Sequence, residues 1–109
     1  MTNLADYIAG VESPTGEDNR MGSGAFSRFQ FMPATAASLA QRTAWGRGLT
    51  PDTVKAAVSA VPGRDRELYD LYEGDSRGAL TKAGLPVDKA SVLALHRFGQ
   101  GGGLSLLRA

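Results

Sequence analysis

Residues 24–36 read GAFSRFQFMPATA, and this stretch decides the fold. Phe29, Phe31 and Met32 form a compact apolar cluster that ends at Pro33. Proline suits the first position of a helix, where its missing N–H is not needed. The alanine-rich run from Ala34 to Arg42 continues as that helix. On the N-terminal side, residues 14–28 are dense in Gly, Ser, Asn and Asp, which marks a loop with room for one small hairpin. Before it, Leu4, Ile8 and Val11, with Tyr7 beside them, recur at helical spacing over residues 4–12. Thr2 or Asn3 is placed to cap that helix, and Pro14 and Gly16 stop it.

On the C-terminal side, Trp45-Gly46-Arg47-Gly48 breaks the alanine helix. Thr50 is the expected N-cap of the next helix, with Pro51 in its first turn, an apolar face of Val54, Ala57, Val58 and Val61, and a stop at Pro62-Gly63. Leu68, Leu71 and Tyr72 predict a helix over 64–73, and a further short helix is expected over 76–83. Gly84-Leu85-Pro86 is a turn. Asp88 opens a last helix to Leu95 or Phe98, interrupted by Gly99–Gly103 and followed by a short apolar tail, 104–109. The expected fold is therefore mainly α: one domain over 1–109, about five or six short helices, and at most one small hairpin.

The 109 residues include no cysteine and one histidine, which excludes disulfides, thiolate metal sites and multi-histidine metal sites. No metal or cofactor is expected. Twelve Lys/Arg against eleven Asp/Glu leave a net charge of +1, with no basic stripe for nucleic acid. No apolar run is long enough to span a membrane. The first residues lack the basic region and apolar run of a signal peptide, so synthesis in the cytoplasm and export by another route are expected. The glycine run lacks the Gly-Lys-Ser/Thr of a phosphate loop.

Glu12 is the leading candidate for chemistry. It ends an apolar helix just before Ser13-Pro14. If Ile8, Val11 and the 29–32 cluster pack around it, burial and the helix C-terminus both disfavour its ionised form. A carboxylic acid kept protonated near neutral pH can donate to a glycosidic oxygen. The alternative is an ordinary exposed carboxylate at a helix end.

Residues 8–13, IAGVES, and 24–36 together resemble the lytic transglycosylase family (SLT-type, lysozyme-like). The family pattern has Glu-Ser, then Gly-Ala twelve residues after the Glu, then Gln-x-Met-Pro-x-Thr-Ala. Here Glu12 and Gly24 are twelve apart, and Gln30, Met32, Pro33, Thr35 and Ala36 fall in register. The match is looser over 68–109, and residues 43–66 carry no recognisable motif. Two positions depart: Ser27 stands where the family has Gly, and His96-Arg97 replaces Tyr-Asn on the helix before the glycine turn.

The resemblance implies a lysozyme-like member of the α+β class that cleaves the β-1,4 bond between N-acetylmuramic acid and N-acetylglucosamine in peptidoglycan. One Glu protonates the leaving oxygen and then takes the proton of the sugar's C6 hydroxyl, closing a 1,6-anhydro ring. Glu12 takes that catalytic role. Gln30 carries over as a cleft residue bonding sugar, with satisfaction of the loop backbone as its alternative. Ser13 supports the carboxyl or caps the turn. Phe29 forms an apolar floor under a sugar or belongs to the core. His96 replaces the family's tyrosine hydroxyl or is structural. Tyr69, Tyr72 and Trp45 suit either core or glycan contact. A hydrolytic muramidase would need a second carboxylate, for which Glu17 and Asp18 are the candidates, otherwise solvated loop charges. A non-catalytic peptidoglycan-binding or structural virion subunit is the other alternative. The implied partner is the glycan strand, with no nucleic acid and no membrane insertion. The implied setting is a phage endolysin, a virion component, or an exported wall-remodelling enzyme, with neighbouring subunits completing the site.

Overall fold

The computed structural model describes residues 4–12 and 24–108, with side chains for 4–10 and 24–108. The described chain is mainly α. Its helices are α1 (Leu4–Glu12), α2 (Pro33–Ala40), α3 (Val54–Ala60), α4 (Arg64–Lys82) and α5 (Lys89–Arg108). The chain divides into two compact units, Met1–Asp70 and Leu71–Ala109, and α4 is continuous through the division.

In the first unit, α1 buries Ala5, Ile8 and Ala9, whereas Leu4 and Tyr7 are half-buried. The buried face is thus centred on Ile8, with small residues beside it that permit close approach. Phe26, Phe29 and Phe31 are each 1% exposed, but Met32 is 47% exposed. The expected three-residue apolar cluster loses Met32 because it sits at the N-cap of α2 in extended backbone, just outside the helix whose Ala36, Ala37, Leu39 and Ala40 face inward. The helix α2 packs against α3, which buries Val54 and Val58. Between them, Gln41 braces the connection: its Nε2 donates to Ala37 O (3.0 Å) and Leu49 O (2.8 Å), and its Oε1 accepts from Gly48 N (2.8 Å).

Regular helix α3 begins one turn later than the Thr50 cap predicts. Residues 50–53 form a tighter turn in which Thr50 O accepts from both Thr53 N (3.0 Å) and Val54 N (2.9 Å). The stop at Pro62-Gly63 is where expected, with Gly63 at φ +95°. The two helices expected over 64–73 and 76–83 are one helix. Gly74 and Gly78 weaken it but do not break it, because a buried stripe of Leu68, Tyr69, Tyr72, Ser76 and Leu80 recurs every three to four residues across them. The ion pair Glu73–Arg77 (3.1 Å) spans the first glycine, and Arg66–Asp70 (2.9 Å) lies one turn before it. It ends in a Schellman motif: Gly84, at φ +72°, donates to Thr81 O, and Leu85 N donates to Leu80 O.

In the second unit, Asp88 caps α5 by accepting Ser91 N at 2.8 Å. The glycine run interrupts α5 at Gly99 alone (φ 74°, ψ 163°). Helical geometry resumes at once, so the expected apolar tail is helical through Arg108. The break folds the helix back tightly enough that a Cβ on Gly103 would lie 2.7 Å from Leu95 Cα.

Candidate functional site

The segment singled out by sequence forms a closed loop in the first unit. Phe26 and Phe31 exchange both backbone bonds, Phe26 N to Phe31 O at 3.0 Å and Phe31 N to Phe26 O at 2.9 Å. This antiparallel bridge is the one hairpin-like element among the described residues. Four residues, 27–30, close it. Ser27 (φ 63°) and Gln30 (φ 52°) both take left-handed backbone, as does Gly24 (φ 85°). Left-handed geometry in a residue with a Cβ is costly and persists only when surroundings impose it. Here the imposing contacts are local. Ser27 O accepts from Gln30 N (3.0 Å) and Gln30 Nε2 (2.8 Å), and Ser27 Oγ accepts from Phe29 N (3.1 Å). Ser27, where the family pattern has Gly, therefore keeps a backbone that favours Gly and adds a side-chain bond that Gly lacks.

The loop is seated by aromatic packing. Phe29 stacks on Tyr69 at 4.6 Å between centroids and meets Phe31 at 5.9 Å. Arg28 covers the Phe29 ring, with its guanidinium carbon 4.9 Å from the centroid, and its Nε donates to Asp65 Oδ2 at 3.1 Å. Asp65 Oδ1 in turn accepts Arg66 N at 2.8 Å. Trp45 stands apart from this group. Its Nε1 donates to Glu67 Oε2 (2.7 Å), while Arg64 stacks over its ring (4.6 Å) and donates to Ala57 O (2.7 Å).

The sequence-derived candidates fall as follows. Glu12 is the last residue of α1; its side chain, with Ser13, Glu17 and Asp18, lies outside the described residues. Gln30 is 8% exposed, and its Nε2 donates to Ser27 O at 2.8 Å. Phe29 is 1% exposed and packs against Phe31 and Tyr69, the core position that is one of its two expected roles. Tyr69 is likewise fully buried. His96 belongs to the second unit, half-buried, edge-on to Tyr72 at 5.2 Å between centroids. Arg28 and Asp65 were not anticipated. They are 37 positions apart, and only the folded chain pairs them.

Among the described residues no group of three His, Cys, Asp or Glu side chains could hold a metal ion, and no helix is long and apolar enough to cross a membrane. Compared with family models, with curated proteins and with solved structures, the chain matches none.

Proposed function

We propose that this chain is a peptidoglycan lytic transglycosylase in which Glu12 is the general acid and then the general base. The observation that supports the reading is the backbone at Ser27. The motif that resembles the family calls for Gly there, and the loop has a left-handed residue at that position although the side chain is Ser. Strained backbone of this kind concentrates at functional sites. A second support is placement: α1 ends at Glu12, in the same unit as the loop.

The chemistry needs one titratable group. Glu12 as the carboxylic acid gives its proton to the glycosidic oxygen as the C1–O bond breaks. Its carboxylate then removes the C6 hydroxyl proton as O6 bonds to C1, which restores the acid and releases the 1,6-anhydro sugar. Ser13 supports the carboxyl. Gln30, through Ser27 O, holds the loop that faces the sugar.

The test is mass spectrometry of purified peptidoglycan digested by wild type and by Glu12→Gln. Anhydro-muropeptides from the wild type and none from the variant are expected. Reducing-end products would replace the reading with a hydrolase. No product from folded wild type would replace it with a glycan-binding subunit.

A further inference from the structure

An open groove of about 300 Å³ lies in the first unit, lined by Ser27, Arg28, Val58, Ser59, Val61 and Asp65, with Pro62-Gly63 at its corner. Its size is at the lower end for small-ligand sites. Its chemistry is specific in three respects.

Arg28 is held before any ligand arrives. Its Nε is bonded to Asp65, and its guanidinium carbon lies over the Phe29 ring. Its terminal nitrogens Nη1 and Nη2 have no hydrogen-bond acceptor among the described residues, and the side chain is 42% exposed. A guanidinium with one edge anchored and the other open is pre-organised to take a planar two-oxygen acceptor side by side. Asp65 is already engaged, each of its oxygens accepting a bond, one from Arg28 Nε and one from Arg66 N, and its charge is balanced by Arg28. Finally, the same groove has an aliphatic lining of Val58, Pro62 and Val61, the last 45% exposed. One open positive edge in a groove with a small aliphatic lining matches a singly charged acid with a short aliphatic group. A dianion such as phosphate would leave its second charge beside Asp65.

We propose that this groove binds a monocarboxylate carrying a small aliphatic substituent, the chemistry of an alanyl peptide C-terminus or of a free short-chain acid. The proposal does not depend on the cleavage reading, and its test does not read cleavage.

The test is an NMR titration of the full-length 15N-labelled chain with N-acetyl-alanyl-alanine, its C-terminal amide, propionate and inorganic phosphate. Saturable shifts are expected at the amides of Arg28, Val58, Ser59, Val61 and Gly63 with the free-acid peptide. Binding of the amide is expected to be at least about tenfold weaker, the factor for losing a charge-assisted pair. Arg28→Met, which keeps a stem on Phe29, abolishes the shifts. Val61→Asp leaves Arg28 in place, changes an exposed side chain, and abolishes them by repulsion, so the proposal stays testable if the Arg28 variant misfolds. Propionate binding as tightly as the peptide supports the site and makes its ligand a free acid; weaker binding makes it a peptide end. No saturable shift, equal binding of the amide, tighter binding of phosphate, or unimpaired binding by Val61→Asp overturns the proposal.

Discussion

Replacing Gly103 with alanine places a methyl carbon 2.7 Å from Leu95 Cα and 2.9 Å from Leu95 N and Cδ1. Carbon contacts are comfortable at ~3.5–4.0 Å, so close to an ångström of separation has to be created. Two of the three obstacles are backbone atoms, which cannot swing aside as a side chain can. Overpacking costs about 1–3 kcal/mol, and a backbone obstacle puts this case near about 3. Exchanging Gly for Ala inside a helix returns about 1 kcal/mol, leaving roughly 2 kcal/mol of net destabilisation. Gly101 follows the same break in the same helix, is exposed, and has nothing within 4 Å of the added carbon. There only the propensity gain operates, so Gly101→Ala is stabilised by about 1 kcal/mol. Two identical exchanges two positions apart thus differ by about 3 kcal/mol, with opposite signs. Urea unfolding followed by far-UV circular dichroism separates them by roughly 1–3 M in midpoint. Equal shifts, or a Gly103→Ala chain more stable than wild type, would refute the fold-back of α5 at Gly99.

Ser27 yields a paired expectation. Ser27→Ala keeps the left-handed strain and loses the bond to Phe29 N, so it unfolds about 1 kcal/mol more easily. Ser27→Gly loses the same bond but relieves about 1–2 kcal/mol of strain, offset by the flexibility of glycine in the unfolded chain, and stays within about 0.5 kcal/mol of wild type. Chemical denaturation of both checks this, and an alanine variant as stable as the glycine one would contradict it. Asp88 sets part of the acid limb. Its carboxyl is held below the ordinary carboxylate value by the Ser91 backbone N–H first and the Ser91 side chain second. The folded chain therefore favours ionised Asp88. The stabilisation is complete above the ordinary carboxylate pKa and is lost as pH falls through the lowered one. Thermal melts between pH 6 and pH 2 should lose part of their acid slope in Asp88→Ala; an unchanged slope would remove Asp88 from the account.

Local chemistry was legible where one residue dominates the backbone. Pro33 marks the start of α2, Asp88 the cap of α5, and Gly84 the end of α4, each through a group whose bonding is short in range. Helix continuity was harder. Gly74 reads as a break in isolation, yet the stripe from Leu68 to Leu80 passes it without losing register, and burial outweighs the propensity of one exposed glycine. The late start of α3 and the helical character of residues 104–108 depend on which carbonyl each N–H finds, which composition does not encode. In the candidate site, the loop itself was visible as a motif. Its internal economy was not: Gln30 turns inward to Ser27 O, and Arg28 finds a carboxylate 37 positions away. Pairings at that separation exist only after collapse.

Trp45 is the only tryptophan in the chain, and its indole is held between Glu67 and Arg64 within the first unit. The emission of the protein is therefore an optical label for residues 1–70, whereas the far-UV signal sums helices of both units. Superimposed fluorescence and dichroism curves would identify one cooperative transition. Separated curves would identify two, with the lag between them measuring how much of the stability of the first unit is its own. A substitution confined to α5, such as Gly103→Ala, then serves as a perturbation of the second unit read against a native fluorophore of the first.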